Sequence, residues 1–209
     1  MSDALETIKL YYDFKSPFTY LAMEPAYRLE ETHRVRLRFI PHELAIREAY
    51  GGELEQRAQR DWDKVRYLYM DMRRFANERG MIVRGPQKIF DSRLALISGL
   101  YADRNGRFRP YADRVFGRFF KRELDIEDAE ALAAVMSEVG LDAAGFRRYA
   151  ESDGPHDLRV AAEEAEREGV FGVPTFNVAG ELFWGNDRVD WVIKKLDQMK
   201  LRRARAGQV

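Results

Sequence analysis

The hydrophobic rhythm of this chain changes twice, and that change limits the folds open to it more than any single motif does. "TIKLYYD", Thr7 to Asp13, puts Ile8, Leu10 and Tyr12 on one face at the two-residue period of a strand. Ser16 and Pro17 come next, a good capping residue and a proline that a first helical position tolerates. A helix is therefore expected from Pro17 to about Glu31, kinked at Pro25, which has no amide to donate. "RVRLRFIP", Arg34 to Pro41, alternates again and predicts a second strand. From about Glu43 to Asp153 the spacing is helical throughout. Ala58, Trp62, Val65, Tyr69, Met72 and Ala76 form one stripe that Gly80 stops. Further helices are expected at Asp91 to Asp103, Pro110 to Lys121, Glu127 to Val139 after a cap at Asp125, and Asp142 to Glu151.

After "SDGP" the rhythm changes back. Asp157 to Glu168 is predicted helical and closed by Gly169. Thr175 to Val178 and Glu181 to Trp184, joined by "AG", predict a β-hairpin, and Asp187 to about Lys200 a last helix. The basic tail "LRRARAGQV" has no apolar period and reads as a frayed end. The β-α-β beginning and the α-β-β-α ending make a complete sheet with helices only when combined. The expected fold is α/β, with one domain assembled from residues 1–43 and 155–209 and interrupted by a helical insertion over 44–154.

Composition removes several classes of function. The 209 residues contain no cysteine, which excludes disulfides, thiolate metal sites and dithiol redox chemistry by the chain's own side chains. Any sulfur chemistry must borrow its thiol. Thirty-five basic residues balance thirty-five acidic ones, so no net field recruits nucleic acid or an anionic membrane. "MSDALETIKLYYDF" lacks a basic region followed by a long apolar run, and no segment approaches the roughly 20 apolar residues of a membrane span. A cytoplasmic protein is expected.

Three places can carry chemistry. Ser16 sits at a strand-to-helix turn, where a helix cap is the simpler reading. The same helix start also offers unpaired amides and partial positive charge to an anion, a thiolate included. Nucleophilic Ser-His-Asp catalysis fits poorly, because the turn lacks a G-x-S-x-G elbow and His33, His42 and His156 lie in no motif. Val173-Pro174 opens the hairpin; the bland reading is a trans strand-entry proline, the sharper one a cis bond that leaves the Val173 backbone able to pair with an extended ligand. In "WGNDRVDWV", Asn186 or Asp187 is expected to cap the last helix, and the same groups suit the ammonium and carboxylate of an amino-acid head. The aromatics Tyr11, Tyr12, Phe14, Phe18 and Tyr20 crowd the first turn; alternate ones on the strand belong to the core. No spacing suits a metal or a phosphate loop.

With "YYDFKSPFTYLA", "GVFGVPTFNVAGELFWGNDR" and the middle elements "YMDMRRFANERGM" and "FDSRLAL", the chain resembles the 2-hydroxychromene-2-carboxylate isomerase and kappa-class glutathione transferase family over nearly its whole length. The resemblance implies a DsbA-like thioredoxin fold with a large helical insertion. In oxidoreductases of that fold a Cys-x-x-Cys pair occupies the turn that here is Ser16-Pro17-Phe18-Thr19. The resemblance therefore implies that glutathione brings the thiol and that Ser16 holds its thiolate. It also implies that Val173, before the family's cis proline Pro174, pairs with the cysteinyl part, and that Asn186 and Asp187 receive the γ-glutamyl head. Dimers are common in that family, so a homodimer is implied too. One departure stands out: where the family often has "P-x-x-L-G-G" leading to an asparagine that helps hold glutathione, this chain has "PHELAIREAYGGELEQ".

The expected function is that of a glutathione-dependent isomerase or transferase acting on a small hydrophobic or aromatic electrophile. The competing expectation is a non-catalytic thioredoxin-fold binding or chaperone-like module in which Ser16 is only a cap.

Overall fold

A computed structural model of the chain describes residues 5–49 and 58–204. Strands β1 (Glu6–Tyr12) and β2 (Val35–Pro41) come from the beginning of the chain, β3 (Thr175–Val178) and β4 (Glu181–Trp184) from its end. They form one four-stranded sheet in the order β2-β1-β3-β4. β1 and β2 run parallel with Ile8 beside Leu37 and Tyr11 beside Ile40, whereas β3 runs antiparallel to both β1 and β4. Parallel neighbours need a crossover, and helix α1 (Pro17–Thr32), which runs on through Pro25, supplies it. The two-residue loop of the hairpin places Ala179 at φ 51° and Gly180 at φ 86°, the left-handed pair that a tight hairpin turn requires.

Between the two halves of the sheet lie α2 (Ile46–Ala49), α3 (Gln59–Glu78), α4 (Arg93–Arg104), α5 (Phe108–Phe119), α6 (Ala129–Glu138), α7 (Ala143–Glu151) and α8 (Gly154–Arg167). The hairpin leads into a short 3-10 turn, Asn186–Arg188, and then α9 (Val189–Gln198). This is the α/β, thioredoxin-like sheet with DsbA-like helices that the periodicity and the resemblance predicted. Boundaries differ where capping chemistry was misread. Asp128, not Asp125, caps α6, accepting from the amides of Glu130 and Ala131, while Asp125 closes the preceding turn on the amide of Glu127. α8 begins at Gly154, so the proline of "SDGP" lies in its first turn, where a missing amide costs nothing.

The two faces of the sheet pack differently. Ile8, Leu10, Tyr12, Leu37 and Phe39 join α1, α9 and the intervening helices in one continuous apolar cluster that reaches Phe116 and Leu132. Phe39 stacks on Phe108 at 4.1 Å between ring centres, and Tyr12 meets the same ring edge-on at 5.0 Å. α4 comes so close to β1 that a Cβ on Gly99 would stand 2.2 Å from the Tyr12 hydroxyl, which reserves that position for glycine. Tyr11 and Ile40 point the other way, against Ala161 and Ala165 of α8. Among the described residues no helix is long and apolar enough to cross a membrane.

Candidate functional site

The turn after β1 is built around two short side chains. Ser16 takes an extended conformation (φ −89°, ψ 111°) and its hydroxyl oxygen accepts from the amide of Thr19 at 3.1 Å, so it caps α1. The Ser16 amide donates to the carbonyl of Asp13 at 3.0 Å, which tightens the turn. The first turn of α1 carries no acidic side chain, so the partial positive charge of the helix start is not cancelled from within the helix. Ser16 is 2% exposed, and its own hydroxyl proton points to the carbonyl of Val173 at the long distance of 3.4 Å. A chain segment 157 residues away thus closes over the cap.

That segment is the loop before β3. The Val173–Pro174 peptide is cis. The Pro174 carbonyl accepts from the amide of Gly185 at 2.9 Å, and the Thr175 hydroxyl donates to the Gly172 carbonyl at 2.6 Å. Gly185 is at φ 123° and a Cβ there would stand 2.6 Å from Asp187 Oδ1, so the turn into the 3-10 segment depends on glycine. The structure therefore brings Ser16, Val173 and Pro174 together, with Asn186 one residue beyond Gly185 on a turn that packs against α1.

Asn186 and Asp187 do not cap α9. The position before that helix is Arg188, with no side-chain cap, because the 3-10 turn Asn186–Arg188 intervenes. Asp187 is exposed and its carboxylate accepts from the adjacent Arg188 at 2.9 Å. Asn186 is 5% exposed, yet its amide nitrogen has no hydrogen-bond partner. The hydroxyl of the fully buried Thr19 is also unpartnered. Buried polar atoms are nearly always paired, and among the described residues the side-chain exceptions are these two and the hydroxyl of Ser92, beside Asp91.

The five aromatics around the turn are structural. Tyr11, Tyr12 and Phe14 are fully buried, Phe18 packs on the core, and Tyr20 stacks on Phe116 and Phe120 at 5.5 Å each. The exposed aromatic pair at the groove is instead Phe171 and Trp184, which meet edge-on at 4.9 Å beside the cis peptide.

The sequence reading missed a charged cleft of about 570 Å³ next to the turn, lined among others by Lys15, Glu43, Leu44, Arg47, Phe90 and Arg93. The buried Asp13 ties two of its lining segments together: Oδ1 accepts from the amide of Lys15 at 3.0 Å and Oδ2 from that of Leu44 at 2.8 Å. Burial pushes the Asp13 carboxyl up, against the pull of the Lys15 ammonium, the two amides and Ser92. Across the cleft Asp91 is held below the ordinary carboxylate range by its hydrogen bonds from Arg93. The one available signal was a pair of charged residues, Asp13 and Lys15, inside an otherwise aromatic run. Part of the segment that departs from the family pattern, Leu44 to Arg47, lines this cleft; the rest of it, through Gln56, lies largely outside the described residues.

A sheet interrupted by helices, with a cis proline facing the capped start of its first helix, defines a thioredoxin-like protein of the DsbA type. A model of the DSBA-like thioredoxin domain matches residues 7–197, and the chain belongs to that family. The curated relatives narrow the branch. The chain is 30% identical over 185 residues to a 2-hydroxychromene-2-carboxylate isomerase of Pseudomonas putida, covering 87% of this chain and 90% of that one. It is 27% identical over 188 residues to the protein of that name from Sphingobium xenophagum, covering 90% and 96%. A solved structure of a 2-hydroxychromene-2-carboxylate isomerase superposes with a TM-score of 0.78 at 27% identity, covering 93% of this chain and 96% of that one.

Proposed function

We propose that the protein is a glutathione-dependent isomerase that acts on a small conjugated acid derived from an aromatic ring. The observation that carries this reading is the contact between the Ser16 hydroxyl and the Val173 carbonyl, at the uncompensated start of α1, in a chain without cysteine. Relatives that are named as isomerases along nine-tenths of their length supply the reaction class. The residues present fit glutathione: the groove offers backbone at Val173, an unpartnered amide at Asn186 and a carboxylate at Asp187, the partners needed by an amide, a carboxylate and an ammonium.

When bound, glutathione supplies a thiolate whose reversible addition to a conjugated double bond permits rotation about that bond, and it leaves unchanged. Ser16 does not attack. Its hydroxyl, held only by the weak 3.4 Å contact with Val173, would be the group to donate a stronger charge-assisted hydrogen bond to a sulfur anion. The Val173 carbonyl would then be available to an amide of the ligand. The α1 start adds a fixed positive field at the same spot and lowers the pKa of a thiol held there. Phe171 and Trp184 offer exposed aromatic surface to a hydrophobic electrophile. A transferase that keeps its adduct would use the same residues. The isomerase reading is preferred because of the relatives' names.

The test is calorimetric titration of glutathione into the protein, followed by assay of the conversion of a 2-hydroxychromene-2-carboxylate to its ring-opened trans isomer with and without glutathione. Saturable binding and conversion that requires glutathione are expected. Absence of binding, or conversion at the same rate without glutathione, overturns the proposal.

A further inference from the structure

Lys15 is the most enclosed cation of the cleft. Its side chain is 8% exposed, and its ammonium stands 3.7 Å from Asp13 Oδ2 and 3.7 Å from Glu43 Oε1. Charge-assisted hydrogen bonds between nitrogen and oxygen close at roughly 2.7–2.9 Å, so the ammonium is attracted by both carboxylates without bonding to either. The two carboxylates are not equivalent. Asp13 is fully buried and its oxygens are committed to the amides of Lys15 and Leu44. Glu43 reaches Lys15 from the rim, with a side chain that is 42% exposed. The neighbouring cation, Arg93, is already satisfied by Asp91 through both Nε and Nη2. The lining is mostly polar, with Asp91 and Glu127 beside the residues already named, and Leu44, Ile46, Ile89 and Phe90 give it a smaller apolar part.

We propose that this cleft is a carboxylate-binding site anchored by Lys15, and that the chain's own Glu43 is an intramolecular competitor for the anchor. A ligand carboxylate takes hydrogen bonds from the ammonium, and Glu43 turns out into water. Exchange of one carboxylate for another conserves the charge around Lys15. Releasing Glu43 costs little, because a loose, half-exposed ion pair contributes little. The apolar part of the lining accommodates acids that carry a hydrocarbon ring or chain. Two carboxylates meet this description, that of the acid electrophile and the glycyl carboxylate of glutathione, and only their identity rests on the function proposed above.

The competition gives two substitutions opposite signs, which a merely structural role for either residue does not do. Benzoate and its neutral counterpart benzamide are titrated calorimetrically into the full chain and into Lys15→Gln, Lys15→Arg and Glu43→Gln. Glutathione and its glycine amide are titrated in a second arm. In whichever arm carries the site, Lys15→Gln lowers the preference for the acid over the amide by about tenfold, and Lys15→Arg restores most of it. Glu43→Gln raises the acid's affinity by about threefold, as expected for loss of a weak competing pair. Thermal melting of each variant confirms that it is folded. The proposal is overturned if neither acid shows these opposed responses, or if Glu43→Gln weakens the acid. A protein that binds benzoate in this pattern but not glutathione keeps the cleft and loses the proposed function. One that binds glutathione without the pattern does the reverse.

Discussion

Two polar regions flank the sheet, and they differ in how completely their groups are paired. Under α8, on the face opposite the main core, Glu164 accepts both guanidinium nitrogens of Arg38 at 2.7 Å and lies 2.7 Å from the Lys9 ammonium. Glu168 takes the Tyr11 hydroxyl at 2.6 Å, the amide of Asn177 and the Lys9 ammonium. At the other end of β1, around Ser16, Val173 and Asn186, the backbone turns are well bonded but the side-chain pairing is incomplete: the Ser16 hydroxyl reaches Val173 only at 3.4 Å, and two buried polar atoms have no partner. A polar cluster that satisfies itself fixes the packing of a helix, whereas one left incomplete is shaped for something else. The contrast supports the proposed site more firmly than either cluster's residue types do.

The comparison breaks first if the paired region proves functional. Glu164→Ala removes the carboxylate shared by Lys9 and Arg38. It is expected to cost about 2 kcal/mol in a denaturant titration, less than for a fully enclosed pair because Arg38 is half-exposed and returns to water. Glutathione affinity is expected to stay within error, and a large loss of affinity would merge the two regions.

Acid sharpens the same contrast. Burial pushes the Glu164 carboxyl up, but its hydrogen bonds from Lys9 and Arg38 outweigh burial and hold it below the ordinary glutamate value. A depressed carboxyl contributes stability above its unfolded pKa and loses it as pH falls through the folded one. Asp13 is raised by burial, so it works in the opposite sense: charging it costs the fold, and protonation regains that cost as pH falls through its raised value. Glu164→Gln is therefore expected to flatten the acid-side loss of stability and Asp13→Asn to steepen it. Equal slopes in urea titrations across the acid range would contradict the assignment.

Smaller effects belong to the site. Ser16→Ala removes the α1 cap and is expected to lower stability by about 1 kcal/mol. Asn186→Ala removes an amide nitrogen that bonds to nothing in the described structure, so its cost in stability is expected to stay below about 1 kcal/mol while glutathione binding weakens several-fold. A loss in stability larger than that from Ser16→Ala would show that Asn186 is structural.

Much of this architecture was legible in the sequence, for local reasons. The hairpin matches residue for residue, Thr175 to Val178 and Glu181 to Trp184, because "AG" between two short apolar runs leaves one economical turn. The cap at Ser16 followed from serine before proline. Reading failed where two local solutions competed. Asp125 and Asp128 both suit a helix start, and only the backbone shows that the first closes a turn while the second caps α6. Asn186 and Asp187 looked like caps because a 3-10 turn has no distinct sequence period. The cleft lay beyond any local pattern, since Lys15, Glu43 and Arg93 come from three separate segments and meet only through side-chain geometry. Ser16, Val173 and Asn186 were singled out from local spacing and given their ligand roles by a family resemblance, whereas the incompleteness of their hydrogen bonding is visible only in three dimensions.

The central claim is that Ser16 holds a thiolate that the chain cannot make for itself. Its most direct test is the pH dependence of thiolate absorbance for glutathione bound to the protein and to Ser16→Ala, under saturating conditions. The account predicts a bound-thiol pKa below that of free glutathione, and a rise of about one unit on removal of the hydroxyl, the loss of one hydrogen bond to an anion. Equal bound-thiol pKa values in the two proteins would contradict it and leave Ser16 as a helix cap.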